Sequence, residues 1–163
     1  MGSIDIRRFD PSHGQAVMEL ILAIQREEFD IPITANDQPD LQDIPAFYQT
    51  GAGNFWVAET GNDVVGTIGL KDIGNNGVAL RKMFVAQSCR GPSMRVAVTL
   101  LEEALAHARQ MRIETIYLGT TDKFTAAHRF YEKNGFLLIE RSALPSTFPL
   151  MAVDTRFYAL RLA

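Results

Sequence analysis

Two arginines and two small residues lie close together in one polar loop. Arg90 and Arg95 flank Gly91 and Ser93, between a predicted strand and a predicted helix. Free backbone N–H groups at a helix N-terminus bind anions, and guanidinium groups add charge and paired hydrogen bonds. The pattern fits a phosphate-binding loop and also an ordinary strand-to-helix connection with solvated arginines, so the loop alone does not assign a ligand.

A second group of residues, over 126–136, combines an aromatic hydroxyl with a helix-ending signal. Tyr131 lies in a predicted helix, and Asn134-Gly135 is a pair that ends helices. A half-buried tyrosine commonly anchors the fold with its ring and finds a backbone partner for its hydroxyl. These residues alone therefore do not assign a function to Tyr131.

The elements that must position these residues follow from hydrophobic periodicity and turn residues. Helical spacing predicts helices over 12–28, 40–49, 93–111 and 123–133. Strand and turn patterns predict strands over 3–9, 54–60, 63–73, 78–86, 114–119, 136–140 and 151–161. A strand, loop, helix and strand in succession favour a parallel pair with a right-handed crossover. The pattern predicts a mixed sheet with helices packed on it.

Length and composition limit the class of protein. The chain has 163 residues, which fits one domain over 1–163. Hydrophobic residues make up 47% and charged residues 21%, as in ordinary globular proteins, which argues against disorder. The net charge of −3 gives no general attraction to nucleic acid or to an anionic membrane, so we expect neither as a partner.

Cysteine and histidine are too sparse for disulfide or metal chemistry. Cys89 is the only cysteine, which excludes an intramolecular disulfide and a multi-cysteine metal site. His13, His107 and His128 are far apart in sequence, so no metal is predicted. The chain has no apolar stretch near the ~20 residues that cross a bilayer, and its N-terminus lacks the apolar core of a signal peptide. We therefore predict a cytoplasmic protein.

Residues 78–136 contain the segments LRKMFV, the Arg-Gly loop, VAVTLLEEALAHA, IYLGT and RFYEKNGF. Together these segments resemble the central region of the GNAT superfamily of acyl-CoA-dependent N-acyltransferases. The flanking strands and the N-terminal helix pair follow that family's order, so the resemblance covers nearly the whole chain. It implies an α+β, or mixed α/β, GNAT-like fold, in which about four helices flank a central, mostly antiparallel seven-stranded sheet.

The resemblance also implies an activity. The expected protein is an N-acetyltransferase that carries an acetyl group from acetyl-CoA to a primary amine of a small molecule or a protein, by direct attack in a ternary complex. No covalent acyl-enzyme is implied. The alternative is a non-catalytic acyl-CoA-binding or ligand-sensing domain.

Roles for individual residues come from the same resemblance. Tyr131 would lie near the thioester sulfur and donate a hydrogen bond or a proton to the departing thiolate. The amide of Val85, or its neighbour, would be the oxyanion donor. The pantetheine arm would pair with the main chain at Met83 and Val85, and backbone amides over 90–97 would hold the pyrophosphate. The implied cofactor-binding residues are Met83, Phe84, Val85, Arg90, Gly91, Ser93, Met94, Arg95, Val96, Ala97, Thr121, Phe124, Ala127 and Phe130.

Two positions depart from the family pattern. Arg95 stands where the phosphate loop usually has a glycine, so its side chain either swings outward and pairs with a phosphate or obstructs the loop. Phe124 stands where many members have a polar residue, often Asn. Thr120 and Thr121 are alternative sources of a hydroxyl there, and an apolar contact to the cofactor is the other possibility.

No motif assigns the general base or the acceptor pocket. The predicted strand over 78–85 has no carboxylate, although a glutamate there is frequent in the superfamily. Candidate bases are Glu27, Glu28, Asp30, His13 and Asp72, and a water relay or no protein base fits equally well. We expect segments 29–39, 74–77 and 144–149 to form the acceptor pocket.

The last predicted strand suggests a homodimer. Its apolar residues are Phe157, Tyr158, Leu160 and Leu162. If this strand lies at the edge of the sheet, a second copy of the chain is able to cover it.

Overall fold

The structure is a computed structural model and describes residues 3–91 and 95–162. The strands are β1 (Asp5–Arg8), β2 (Asn54–Thr60), β3 (Asp63–Gly74), β4 (Gly77–Val85), β5 (Thr115–Thr120), β6 (Leu137–Ile139) and β7 (Arg156–Arg161). The α-helices are α1 (Gly14–Ala23), α2 (Pro39–Gln42), α3 (Ile44–Tyr48), α4 (Val96–Gln110) and α5 (Thr125–Lys133). A π-helical turn spans Ile24–Glu28, and 3₁₀ turns span Pro11–His13, Ala35–Asp37, Gln87–Cys89 and Arg141–Ala143.

The strands form one seven-stranded sheet in the order β1-β2-β3-β4-β5-β7-β6. β4 and β5 are parallel, and each of the other described neighbours is antiparallel. The helix α4 connects β4 to β5, as a parallel pair requires. The predicted mixed, mostly antiparallel seven-stranded sheet is confirmed.

The helix predicted over 40–49 is in fact two helices, so the described residues form five α-helices rather than about four. Asp43 interrupts it with a non-helical backbone, φ −146° and ψ 72°. Its carboxylate accepts a hydrogen bond from the Ala46 amide at 3.2 Å and so caps the second helix. Pro45 lies in the first turn of that helix, where a missing N–H removes no helical hydrogen bond.

The helix predicted over 12–28 is also shorter than expected. The chain leaves α1 in the π-helical turn Ile24–Glu28, in which the Phe29 amide donates to the Ile24 carbonyl at 3.2 Å. The turn buries the polar side chain of Gln25. Apolar spacing does not signal such a wide turn, and these turns are frequent at functional sites.

A β-bulge interrupts β4. Thr67 of β3 pairs with Phe84, and Gly69 pairs with Arg81, so two residues of β4 oppose one residue of β3 between these pairs. Lys82 lies in the bulge with a left-handed φ of +54°. The Thr67 hydroxyl donates to the Lys82 carbonyl at 2.7 Å and stabilises this backbone. A bulge of this kind bends its strand and increases the local twist.

The bulge lies where β4 and β5 separate. Their parallel pairing covers only Gly77–Ala79 and Thr115–Tyr117. β4 nevertheless continues to Val85, and β5 continues to Thr120. The second halves of these strands therefore leave an opening in the middle of the sheet.

Apolar side chains pack on both faces of the sheet. On one face, Val96, Leu100 and Leu101 of α4 pack in a cluster that includes Trp56. On the other face, Phe55 packs with apolar residues of α1 and α3. Because successive strand residues point to opposite faces, the neighbours Phe55 and Trp56 belong to different clusters.

The strand β7 lies inside the sheet, between β5 and β6. Phe157 and Tyr158 are buried, so the expectation that β7 offers an apolar edge is wrong. Exposed apolar residues occur instead on the edge strand β6, where Leu137 is 71% and Leu138 57% exposed. A homodimer stays a prediction, but β7 no longer supports it.

Gly53 leaves no room for a side chain. An added Cβ would lie 2.3 Å from the Tyr48 carbonyl oxygen and 2.5 Å from the Leu70 carbonyl oxygen, both main-chain atoms. We expect Gly53→Ala to lower the free energy of unfolding by about 2 kcal/mol, because the backbone must shift. In differential scanning calorimetry this corresponds to a Tm lower by roughly 5 °C.

Gly14→Ala is the matched control. No described residue comes within 4 Å of an added Cβ at Gly14, which begins α1. Its Tm should be unchanged or slightly raised, since alanine restricts the unfolded chain. Equal melting temperatures for the two variants would contradict the close packing at Gly53.

Candidate functional site

A cavity of about 570 Å³ occupies the opening between β4 and β5. Its walls come from the second half of β4, the end of β5, α5, the π-helical turn and the segment 148–154. This volume is in the range of ligand-binding clefts. Most of the predicted site residues line it, namely Met83, Phe84, Val85, Arg90, Gly91, Ala97, Thr121, Phe124, Ala127, Phe130 and Tyr131.

The side chains of Arg95 and Val96 do not line the cavity. Arg95 has a left-handed φ of +53° directly before α4, and its guanidinium turns outward to pair with Glu102 at 3.2 Å. Val96 is buried in the core cluster of α4. Only the backbone amides of these two residues are left for the predicted cofactor contact. Ser93 and Met94, also predicted to bind the cofactor, lie outside the described residues.

The main chain of β4 directs hydrogen-bonding groups into the cavity. The Ala86 amide donates to the Val65 carbonyl at 2.8 Å, so Ala86 faces β3. Because strand residues alternate, Val85 and Met83 direct their N–H and C=O groups away from β3, into the opening. There the Val85 carbonyl accepts a hydrogen bond from Arg90 Nε at 2.9 Å. An extended ligand with amide groups is able to add along this edge as a further strand.

Aromatic packing fixes Tyr131 in the cavity wall. Its ring centroid lies 5.5 Å from that of Phe136 and 6.1 Å from that of Tyr158. No described residue forms a hydrogen bond with the Tyr131 hydroxyl. Because each fully buried side-chain oxygen of the described chain has a hydrogen-bond partner, this hydroxyl is not fully buried and opens onto the cavity. Burial raises the pKa of Tyr131 well above its ordinary value. The phenol is therefore protonated at neutral pH and available as a donor.

An ion pair joins two walls of the cavity. The Arg90 guanidinium binds both carboxylate oxygens of Glu28 in the π-helical turn, one of them at 2.8 Å. Arg90 also holds the Val85 carbonyl. Much of the positive charge that Arg90 brings to the loop is thus neutralised by Glu28 in this conformation.

Phe124 makes aromatic contacts across the cavity. Its ring centroid lies 4.6 Å from that of Phe29 and 6.1 Å from that of Phe84. The neighbouring Lys123 ammonium donates to the Phe29 carbonyl at 3.4 Å. At this position the structure presents an apolar surface, and Thr121 lines the cavity nearby with a hydroxyl.

Lys82 is a buried cation that no sequence pattern singles out. Its Nζ donates to Gln38 Oε1 at 2.6 Å and lies 3.8 Å from Asp40 Oδ2. Gln38 exchanges hydrogen bonds with Gln25 at 2.9 and 3.0 Å, and Asp40 accepts from the Tyr48 hydroxyl at 2.6 Å. Burial lowers the pKa of Lys82 to about 8, although the Asp40 charge opposes this shift.

Arg81 and Asp154 also line this cavity. The bulge allows Arg81 and Lys82, which are consecutive in β4, to reach the same cavity. Asp154 is 7% exposed, and its Oδ2 accepts a hydrogen bond from the Met151 amide at 3.0 Å. Burial raises the pKa of Asp154. Sequence reasoning missed these residues, since β4 reads as an ordinary strand and Asp154 lies in no motif.

Of the candidate bases, Glu28 lines the cavity, but it is paired with Arg90. Asp72 accepts hydrogen bonds from two backbone amides, at 2.8 and 2.9 Å, and stabilises a turn. The candidates that do not line the cavity are Glu27, Asp30, His13 and Asp72. Asp154 is a cavity-lining carboxylate that was not among them.

The segments predicted to form the acceptor pocket line the cavity only in part, and the pocket itself stays a prediction. Ile31 and Ile33 of the connector line the cavity, as do Phe148 and Pro149. The turn over 74–77 does not line the cavity, because it lies at the end of β4 that is paired with β5. This part of the prediction therefore finds no support in the cavity.

Residues 3–91 and 95–162 have neither a metal-binding cluster of side chains nor a membrane-spanning helix. Within these ranges, no group of three or more His, Cys, Asp or Glu side chains has a metal-binding arrangement. Within the same ranges, no helix is both long and apolar enough to cross a membrane.

The sequence matches the family model of the Acetyltransferase (GNAT) family over residues 18–136. This chain belongs to that family. The match begins within α1 and extends just past α5, and so includes the π-helical turn, β4, β5 and α5, which line the cavity.

Two solved structures resemble the chain over nearly its whole length. A GNAT-family acetyltransferase from Staphylococcus aureus Mu50 is 42% identical, with a TM-score of 0.95 over 99% of this chain and 100% of that one. An acetyltransferase from Streptococcus agalactiae is 30% identical, with a TM-score of 0.93 over the same shares.

A curated relative is much longer than this chain. The N-acetylaspartate synthetase of Xenopus tropicalis is 38% identical over 101 residues, which are 60% of this chain and 36% of that protein. The match therefore spans about a third of that relative's length.

Burial of Lys82 predicts how stability changes with pH. Its pKa is about 8 in the fold, against an ordinary value of 10.5. Between these values the unfolded chain binds more protons than the folded chain, so the free energy of unfolding rises with pH. The contribution of this group is roughly 1 kcal/mol per pH unit.

Lys82→Met removes that contribution and should be compared with the unmodified protein by urea unfolding at pH 7, 8, 9 and 10. The quantity compared is the difference in the free energy of unfolding between the unmodified protein and the variant. We expect this difference to shift in favour of the unmodified protein as the pH rises above about 8. Other titrating groups occur in both proteins and largely cancel. A difference that stays constant or falls with pH would refute this.

Proposed function

We propose that the protein is an acetyl-CoA-dependent N-acetyltransferase, which transfers an acetyl group to a primary amine of a small molecule or a protein by direct attack in a ternary complex. The observation that carries the proposal is the cavity between the separated halves of β4 and β5. It brings together the free main-chain edge of β4 and the hydroxyl of Tyr131. Membership in the GNAT acetyltransferase family supports the same reaction.

The described residues fit an extended acyl-CoA. The amides of a pantetheine arm are complementary to the N–H and C=O groups of Met83 and Val85, which face the cavity. Backbone amides that lead into α4 are suited to a pyrophosphate, and Gly91 and Ala97 line the cavity there. Acetyl-CoA supplies an activated acetyl group on a thiolate leaving group.

The remaining proposed cofactor contacts divide into two kinds. Arg95 and Val96 contribute through their backbone, because their side chains point elsewhere. The proposed side-chain contacts are Phe84, Arg90, Thr121, Phe124, Ala127 and Phe130. Ser93 and Met94 remain proposals from the family pattern.

Tyr131 is proposed to stabilise the leaving thiolate as a hydrogen-bond donor. A free thiol has a pKa near 8.5, whereas burial raises the pKa of Tyr131 above an ordinary value near 10. Complete proton transfer from this phenol to a thiolate is therefore uphill by more than about 2 kcal/mol. A hydrogen bond to the developing charge requires no such transfer.

The Val85 amide is proposed as the donor to the thioester oxygen. This amide faces the cavity, and the carbonyl of the same residue already accepts a hydrogen bond from Arg90 Nε. A donor that is positioned before the reaction costs no reorganisation when charge develops, and such donors contribute about 10²-fold to turnover.

The activity is tested with purified protein, acetyl-CoA and a panel of primary amines. Thiol release and the mass of the acetylated product report turnover, and calorimetry reports CoA binding separately. Amine-dependent acetylation is expected. Tight CoA binding without turnover would favour the non-catalytic acyl-CoA-binding alternative, and no CoA binding would exclude both.

Tyr131→Phe tests the leaving-group role. We expect kcat to fall about 10²-fold, because the thiolate loses its donor, while the Kd for CoA stays within about twofold. Tyr117→Phe is the matched control, since Tyr117 is half-buried in β5 and does not itself line the cavity. Unchanged kcat in Tyr131→Phe would remove this residue from the mechanism.

Three broader expectations stay predictions. They are a single domain over 1–163, a cytoplasmic location and an acceptor that is a small-molecule or peptide amine. The gel-filtration mass of the purified protein would report a homodimer.

A further inference from the structure

The cavity wall contains a guanidinium, that of Arg81, which forms an ion pair with Asp40 and lies over the Phe47 ring but makes only long hydrogen bonds. The Arg81 side chain is 12% exposed. Its nitrogens donate to the Pro149 carbonyl at 3.3 Å and to the Met151 sulfur at 3.4 Å, and one lies 3.7 Å from Asp40 Oδ2. A guanidinium has five N–H donors in a planar fork. Two oxygens of an anion would satisfy this fork better than these contacts do.

Lys82 adds a second cation with donors to spare. Its ammonium carries three N–H groups, and within the described chain one strong hydrogen bond is formed, to Gln38. Asp40, at 3.8 Å, is beyond hydrogen-bond distance and already accepts from the Tyr48 hydroxyl. Arg81 and Lys82 therefore present unused donors to the same cavity.

Asp154 supplies an opposite charge to this cavity. One of its carboxylate oxygens accepts from the Met151 amide, and no described residue donates to the other. Among the described residues, Asp154 forms no ion pair with Arg81 or Lys82, although all three line the cavity. Its carboxylate lies against the end of β5, where a Cβ added to Gly119 would be 2.7 Å from Oδ2.

The surface around these charges is apolar. The nearby cavity-lining residues include Ile31, Ile33, Leu80, Phe148 and Met151. The cavity thus presents positive and negative groups that do not pair with each other, together with apolar walls. Such a lining is complementary to a molecule that carries both charges on an apolar skeleton.

We infer that the acceptor is a small zwitterionic amine of the amino-acid type, whose carboxylate binds Arg81 and Lys82 and whose amino group lies at Asp154. The inference rests on the proposed acetyltransferase function and names the acceptor class of the same cavity. The apolar walls favour an acceptor with an apolar side chain. Arg81, Lys82 and Asp154 are specificity residues in this arrangement.

Matched acceptors test the inference. Each pair consists of an amino acid and the amine that lacks its carboxylate, such as phenylalanine with phenethylamine and leucine with isopentylamine. Rates are compared at one pH after correction for the fraction of neutral amine. We expect kcat/KM to be at least about tenfold higher for the amino acid in at least one pair, since a charge-assisted contact to a carboxylate is lost in the amine.

Variants separate the two ends of the acceptor. Arg81→Gln should bring the ratio of kcat/KM within a pair towards one, because only the amino acid uses that side chain. Asp154→Asn should lower kcat/KM for both members of a pair by a similar factor, because both carry the amino group. Arg129→Gln is the control for loss of a positive charge, since Arg129 is exposed on α5 and does not line the cavity.

A binding measurement keeps this inference distinct from the proposed activity. Calorimetry with CoA-saturated protein should detect the amino acid with at least about tenfold tighter binding than its matched amine. Such binding without acetylation would support the acceptor class and overturn the activity. Acetylation of amines with no preference for a carboxylate, or a preference that Arg81→Gln leaves intact, would overturn the acceptor class and support the activity. Neither binding nor acetylation of any pair would overturn both.

Discussion

The β-bulge in β4 is the constraint on which the rest of the site depends. An uninterrupted β4 would continue its parallel pairing with β5 beyond Gly77–Ala79 and close the sheet. The bulge bends the strand, and three consequences follow from one extra residue. The strands part, the edge of β4 keeps unpaired main-chain groups, and Arg81 and Lys82 reach the same cavity although consecutive strand residues normally point to opposite faces.

Maintaining this bulge requires buried polar groups elsewhere. A left-handed backbone at a lysine is strained by about 1–2 kcal/mol, and a buried ammonium adds a desolvation cost. The Thr67 hydroxyl binds the Lys82 carbonyl, while Gln38 and Asp40 face its ammonium. These partners come from β3 and from the segment around α2, so the bulge is stabilised by elements distant in sequence. The same contacts hold the N-terminal helices against the cavity.

Sequence patterns predicted the scaffold better than the site. The strand over 54–60 has the predicted bounds, because turn residues punctuate a run of strand formers there. The bulge at Lys82 has no such signal, since left-handed positions are expected at glycine or asparagine and a lysine is neither. The contribution of Asp154 depends on the pairing of β7 with β5, a long-range contact that local periodicity does not encode. Tyr131 and the β4 edge could be predicted to line the cavity because they belong to segments that resemble a known family.

The distribution of charge explains how a chain of net charge −3 is compatible with anionic ligands. Arg95 is paired with Glu102, and Arg90 is paired with Glu28, so side-chain charge near the start of α4 is largely compensated. For the proposed phosphate contact, backbone amides and the helix dipole are a source of positive potential that does not depend on these side chains. Around Arg81 the side-chain charges are balanced differently, because Arg81 and Lys82 share a single ion-pair partner, Asp40. If the proposed ligands bind at these two places, side-chain charge attracts the acceptor and main-chain groups attract the phosphate, so changes of side-chain charge should affect acceptor binding more strongly than cofactor binding.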